Sequence, residues 1–136
     1  MISIARTFGA PVSVPAGTTY ARFALFDADS PGADIDLCVF NSAGALVGAS
    51  GGTTSAEEVN LLNPAAGNYT VVVHGYAVGT GSAYKLHSWL LGSASASNMT
   101  VGASATAVTA ASGSITLSFN GLVAGNPLIA TNHALR

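Results

Sequence analysis

The sequence predicts an all-β protein built as an antiparallel sandwich or barrel, and three observations support this prediction. Short runs alternate between apolar and polar residues with a period of two, as strands with one buried face do. Stretches such as "DSPGAD", "NPAAGN" and "VGTGS" separate these runs, and their proline and glycine residues favour turns. No stretch has the periodicity of an amphipathic helix. Short strands separated by such turns are typical of sandwiches and barrels.

The predicted strands follow one another along most of the chain. The clearest begins at Thr19, because Ala21, Phe23 and Leu25 fall on one face and alternate with more polar residues. The predicted strands are Thr19–Phe26, Ile35–Phe40, Ala45–Ala49, Glu58–Leu62, Asn68–Gly75 and Ala83–Leu91, followed by Met99–Thr109 and Ser114–Phe119.

The composition changes near residue 92, which predicts a division of the 136-residue chain. We expect a β-sandwich over residues 1–92 and a linker over 93–98, where the sequence is rich in Gly, Ser and Ala. A segment of about forty residues is too short to close a second sandwich by itself. Residues 99–136 are therefore predicted to form an incomplete second β module.

Composition and charge exclude several classes of protein. Charged residues are 7% of the chain, hydrophobic residues are 49% and the net charge is -2, which argues against a disordered chain. The apolar runs are far shorter than a membrane span. The four cations Arg6, Arg22, Lys85 and Arg136 are scattered, so we expect no nucleic-acid partner. The one cysteine, Cys38, allows no internal disulfide and is interpreted as a packing residue.

A cluster of aspartates is the strongest candidate for a metal site. Hard cations bind several carboxylate oxygens around one point. An EF-hand is excluded, because its fifth and twelfth positions would be Pro31 and Cys38. Two interpretations remain: a calcium site of another kind, or a polar loop whose carboxylates bind their own backbone. The candidate ligands are Asp27, Asp29, Asp34 and Asp36.

Catalytic motifs are weak. Gly48–Gly52 matches G-x-S-x-G, but no helix follows Ser50, as the hydrolase motif requires. His74 and His87 lie in predicted strands, where sheet side chains are the simpler interpretation. Glu57 and Glu58 are interpreted as capping the loop before their strand, and a contribution to cation binding is the alternative. We therefore expect no catalysis by this chain, and the catalytic residues of any parent enzyme would lie upstream of it.

The order of these segments resembles the bacterial pre-peptidase C-terminal domain. The resemblance covers roughly residues 6 to 92 and rests on Asp34–Leu37, Asn63–Thr70 and Val73–Tyr76, in that order. It is greatest for the version that follows the catalytic domain of secreted subtilisin-like serine peptidases. Further on, Gly113–Phe119 and Gly121–Gly125 resemble the start of a fibronectin-III-like segment, whose later strands "NPLIATNHALR" does not match.

The resemblance implies a jelly-roll-like β-sandwich that is extracellular and non-catalytic. It implies an accessory role for a secreted subtilisin-like serine peptidase, aiding stability, secretion or substrate docking. The parent catalytic domain is then one expected partner and a protein substrate, such as a collagen-like protein, is another. We expect no membrane partner, no required cofactor, and self-association through strand edges in residues 99–136.

An alternative function is a calcium-assisted module that binds protein or polysaccharide. Relatives in collagenases bind calcium and collagen, and Asp34 and Asp36 lie where that family carries acidic residues. The opening "MISIARTFGA" lacks the acidic ligands that an N-terminal linker supplies in those relatives. Ligand contact through exposed aromatic rings is predicted for Tyr20, Tyr76, Tyr84 and Trp89.

Overall fold

A computed structural model describes residues 6–94, 98–106 and 108–125 of the chain. It confirms the all-β prediction and is consistent with a β-sandwich. No helix in these ranges is long and apolar enough to cross a membrane. The described strands are β1 (Arg6–Val14), β2 (Tyr20–Ala24), β3 (Asp34–Phe40), β4 (Leu46–Ser50), β5 (Glu58–Leu62), β6 (Gly67–Ala77), β7 (His87–Leu91), β8 (Met99–Gly102) and β9 (Thr116–Phe119).

The chain divides into two compact units, Met1–Ser93 and Ala94–Arg136. The first unit contains a four-stranded sheet in the order β1-β6-β3-β4 and a three-stranded sheet in the order β5-β2-β7. Every paired strand runs antiparallel to its neighbour. The second unit contains the antiparallel pair β8-β9.

The core of the first unit lies between its two sheets. In β3, Ile35, Leu37 and Val39 are buried and alternate with half-buried residues. From the three-stranded sheet, Phe23 and Val59 meet this layer. The period-two alternation therefore fixes which face of each strand is removed from water. The core residues are Val14, Ala21, Phe23, Leu25, Ala33, Ile35, Leu37, Val39, Val59, Tyr69, Val71 and Val73.

Strand β1 was not predicted. Its sequence "RTFGAPVSV" contains Gly9 and Pro11, which have low β propensity and hide the alternation. It is nonetheless a strand, because its partner β6 is the most regular strand of the sheet and pairs with it along its whole length. Pro11 is tolerated because β1 is an edge strand, where one side of the backbone makes no ladder bonds.

Four predicted strands are shorter in the structure. Thr19–Phe26 is reduced to Tyr20–Ala24, and Ser114–Phe119 to Thr116–Phe119. Of Ala83–Leu91 only His87–Leu91 is strand, and of Met99–Thr109 only Met99–Gly102. The sequence after Gly102, "ASAT", contains only small residues, so a longer strand there would bury little apolar surface. Strand β6 extends further than predicted, to Ala77.

Candidate functional site

Two of the predicted ligand-binding residues, Tyr20 on β2 and Trp89 on β7, lie on the outer face of the three-stranded sheet. Tyr20 and Arg22 point away from the core, because Ala21 and Phe23 on the same strand are buried. Pairing places Arg22 between Asn60 and Trp89 in one cross-strand row, and Tyr20 between Leu62 and Leu91 in the next. The outer face comprises Tyr20, Arg22, Ala24, Glu58, Asn60, Leu62, His87, Trp89 and Leu91.

A row of rings ends in a charged network at one side of this face. The rings of His87 and Trp89 are stacked, with centroids 5.8 Å apart and planes 17° from parallel. Phe26 meets His87 edge-on at 5.1 Å. His87 Nε2 lies 3.0 Å from Asp29 Oδ2, and Lys85 Nζ lies 3.1 Å from Asp29 Oδ1. Hydrogen bonding to His87 and then to Lys85 lowers the pKa of the Asp29 carboxyl below its ordinary value.

The polar side chains in the middle of the face are bound to one another. Arg22 forms an ion pair with Glu58. Asn60 donates to Glu58 Oε1 at 2.7 Å and accepts from the Tyr20 hydroxyl at 2.6 Å. These groups balance in charge, so the face offers apolar contact rather than attraction for one sign of charge. Leu62 is the most exposed large apolar residue of this face, at 75%.

The loop between β4 and β5 is held by two carboxylates. Asp27 Oδ1 accepts a hydrogen bond from the Ser55 backbone N–H at 2.8 Å. Glu57 is 4% exposed; its Oε1 accepts from the Gly52 N–H at 2.7 Å, and its other oxygen binds the Ser50 hydroxyl. This geometry bears out loop capping for Glu57, whereas Glu58 forms an ion pair with Arg22 instead. It also shows the Ser50 hydroxyl bound to the Glu57 carboxylate rather than to a histidine.

Two carboxylates remain on the outer side of β3. Asp34 Oδ1 is buried without a hydrogen-bond partner among the described residues. The pKa of Asp36 is raised, first by desolvation and then by the negative charges of Asp34 and Glu57, while His74 opposes the shift. His74 pairs with Asp36 across the strands, and its Nδ1 lies 3.1 Å from the Thr7 hydroxyl.

The four predicted metal ligands therefore fall into separate surroundings. Asp27 binds the β4–β5 loop, Asp29 binds Lys85 and His87, and the other two lie on β3. Within residues 6–94, 98–106 and 108–125, no three His, Cys, Asp or Glu side chains form a group that could hold a metal ion. A calcium site at Asp27, Asp29, Asp34 and Asp36 stays a prediction.

A pocket with a volume of about 310 Å³ opens at one end of the first unit. Its floor contains Ile35 and Val73, which are both core residues. The rings of Phe8 and Tyr84 form part of its wall, with centroids 6.2 Å apart and planes inclined at 46°. Tyr76 follows the lining residue Gly75 and is 71% exposed.

The four predicted aromatic residues thus lie in different places. Tyr20 and Trp89 share the outer face and Tyr84 lines the pocket, while Tyr76 is an exposed residue of β6 that does not line it. Ligand binding by all four stays a prediction. Sequence reasoning did not select Phe8 or Phe26 as site residues. Phe26 could have been selected as the last residue of the predicted strand Thr19–Phe26, whereas Phe8 lies in β1, which was not predicted.

Comparison with known proteins links the chain to a peptidase. No family model matches it. It is 39% identical over 67 residues to pyrolysin of Pyrococcus furiosus, and the alignment covers 49% of this chain. The chain spans about 5% of the length of that protein. Pyrolysin is a subtilisin-like protease, so the similarity connects this chain to a region associated with such a peptidase.

Proposed function

We propose that this chain is a non-catalytic accessory domain of a secreted subtilisin-like serine peptidase. The observation that carries the proposal is the similarity to pyrolysin, which involves 67 residues and about 5% of that protein. So small a stretch is not the catalytic part of that protein, which supports an accessory role. A pre-peptidase C-terminal domain is the specific identity that we infer, since the residues that carry that resemblance lie on β3 and on β6 with the turn before it, all in the first unit.

The chemistry of the described residues supports a role without catalysis. Ser50 binds Glu57, His74 contacts Thr7 and His87 contacts Asp29. In each case the group capable of attack or proton transfer belongs to a local network that holds a loop or a sheet face. Such networks hold surface loops and side chains in place, which suits a domain that stabilises, delivers or docks its parent enzyme. An extracellular location follows from the same proposal.

The calcium-assisted binding module is the weaker alternative. Of its four proposed ligands, Asp27 and Asp29 already accept hydrogen bonds from Ser55 and His87, and Asp29 also pairs with Lys85. A cation would have to compete with these protein contacts. The accessory role requires no such exchange of partners.

A chimaera tests the proposal. In pyrolysin, the matched stretch is deleted in one variant and replaced by the corresponding stretch of this chain in another. We expect deletion to lower secretion or the half-life of the enzyme at high temperature, and replacement to restore it. Turnover of a small peptide substrate should stay within about twofold, because the transition state makes no contact with an accessory domain.

Two results would contradict the proposal. One is loss of peptide turnover in a deletion variant that is still secreted and folded. The other is hydrolysis of peptide or ester substrates by this chain alone, abolished by Ser50→Ala, since that would make it an enzyme.

A further inference from the structure

We propose that the pocket between β1, β6 and residues 78–84 binds one uncharged apolar side chain of an extended polypeptide, either aromatic or branched aliphatic. This inference rests on the proposed docking function, to which it adds the site and the class of ligand. The pocket involves none of the outer-face residues.

The size of the pocket sets the size of the occupant. Its volume of about 310 Å³ is at the lower end of the range for ligand pockets. A single ring or branched side chain fits such a space, whereas a nucleotide or large cofactor does not. The Phe8 and Tyr84 rings are inclined to each other, and an inserted ring can meet one of them edge-on and the other by offset stacking.

The lining excludes a charged occupant. Ile35, Val73 and Val78 supply aliphatic surface, and no residue of the lining carries a charge. A charged group placed there would lose its water and gain no ionic partner. The rim hydroxyl of Ser82 already donates to the Ala83 carbonyl at 3.1 Å, and the Gly81 N–H donates to the Val78 carbonyl at 2.9 Å. Both groups are thus already bonded, and apart from the Tyr84 hydroxyl the lining side chains offer a ligand mainly shape and apolar contact.

The neighbouring edge of the sheet makes a polypeptide the fitting occupant. Among the described residues β1 pairs with β6 alone, so its other backbone edge is open to an added strand. Phe8 belongs to β1 and is 53% exposed at the pocket wall. An extended peptide along the Thr7–Ala10 edge would therefore lie beside the pocket. Pro11 limits the paired length to this half of the strand, which makes the side-chain anchor the main source of specificity.

Amide NMR of the full chain tests the pocket. N-acetyl-phenylalaninamide is titrated into ¹⁵N-labelled protein, with N-acetyl-aspartamide as the charged comparison. We expect saturable shifts at Gly75, Val78 and Tyr84 with a dissociation constant on the order of 1 mM for the apolar probe, as its small size implies. The charged probe should bind at least tenfold more weakly.

Ala83→Trp introduces a large side chain at an exposed position of the lining, so that it fills the pocket. This variant should bind the apolar probe at least tenfold more weakly than the parent protein does. Ala43→Trp, in the exposed turn between β3 and β4, is the matched control and should bind as the parent does. Unshifted pocket amides in folded parent protein, or undiminished binding by Ala83→Trp, would overturn the proposal.

Capped Gly-Gly-Phe-Gly-Gly and Gly-Gly-Ala-Gly-Gly test the polypeptide itself. The phenylalanine peptide should bind at least threefold more tightly than N-acetyl-phenylalaninamide, and the alanine peptide should not bind detectably. Equal affinity of the peptide and the single residue would overturn the role of the β1 edge. These readouts do not depend on the pyrolysin chimaera, so failure of the pocket and failure of the accessory role are separable.

Discussion

The two units use their apolar residues in opposite ways. In the first, alternate residues of two sheets are sealed against each other, and Phe23, Leu37 and Val71 are 0% exposed. In the second, the β8–β9 pair also has one apolar face, but Val101, Leu117 and Phe119 on it are 43%, 47% and 42% exposed. The same strand periodicity thus yields a core only where a second sheet covers it. An isolated pair of strands is only marginally stable in water for this reason.

The largest effect is expected from truncating the sealed core. Phe23→Ala should lower the free energy of unfolding of the first unit by about 3–5 kcal/mol, because it removes buried surface and leaves a cavity. Urea denaturation followed through Trp89, the one tryptophan of the chain, reports on this unit. Phe119→Ala, in the second unit, is the matched control and should leave that transition unchanged. An equal loss from both variants would refute the contrast between the units.

The next largest effect on the free energy of unfolding is expected from replacing a glycine of the first unit by alanine, with a glycine of the second unit as its comparison. A Cβ added at Gly48 would collide with the Val59 side chain across the core, while one added at Gly113 meets nothing within 4 Å. Gly48→Ala should therefore cost about 1–3 kcal/mol through overpacking, and Gly113→Ala should be neutral within about 0.5 kcal/mol. The same fluorescence-detected unfolding curves measure both. A neutral Gly48→Ala would mean that the two sheets are packed more loosely than the structure shows.

The pH dependence of stability should come from the first unit, because residues 92–132 contain no Asp, Glu, Lys or Arg. The lowered pKa of Asp29 stabilises the folded state at neutral pH, and this is lost as the pH falls through that pKa. The raised pKa of Asp36 has the opposite sign: the folded state binds a proton more tightly, so stability declines as the pH rises through that pKa.

Two amide substitutions test these signs. At neutral pH, Asp29→Asn should lower the melting temperature and Asp36→Asn should raise it. The Asp36 difference should shrink as the pH falls through its raised pKa toward the ordinary aspartate value of 3.8, whereas the Asp29 difference should shrink only as the pH falls below 3.8. Melting curves from pH 2 to pH 8 measure this. Shifts of the same sign at neutral pH would contradict the assigned surroundings of the two aspartates.

The smallest effect is expected from weak self-association through the second unit. The β8–β9 pair has no charged residue to protect its edges or its apolar face. Leu117→Lys should reduce the dimer fraction in sedimentation at high concentration, and Ser118→Lys, on the opposite face, should reduce it less. A parent protein that sediments as a monomer at every concentration would contradict the expectation.

The sequence predicted most of the fold because alternation is a local property. Glu58–Leu62 was predicted to the residue, and the other predicted strands overlap those of the structure. Strand β1 was not predicted, because its own Gly9 and Pro11 disfavour a strand and only its pairing with β6 makes it one. The faces of Tyr20 and Trp89 also followed from the alternation, since a period of two leaves each residue only one side of the sheet.

The composition and local pattern by themselves determined an all-β chain with few charges and a change of character near residue 92. Only the tertiary structure decided which polar groups meet, because those contacts join residues distant in sequence. Asp29 meets His87 and Asp27 meets Ser55, whereas the sequence had grouped the aspartates with one another. Likewise, the pocket arises where Phe8 and Tyr84 approach across the fold, a distance that no spacing along the chain encodes.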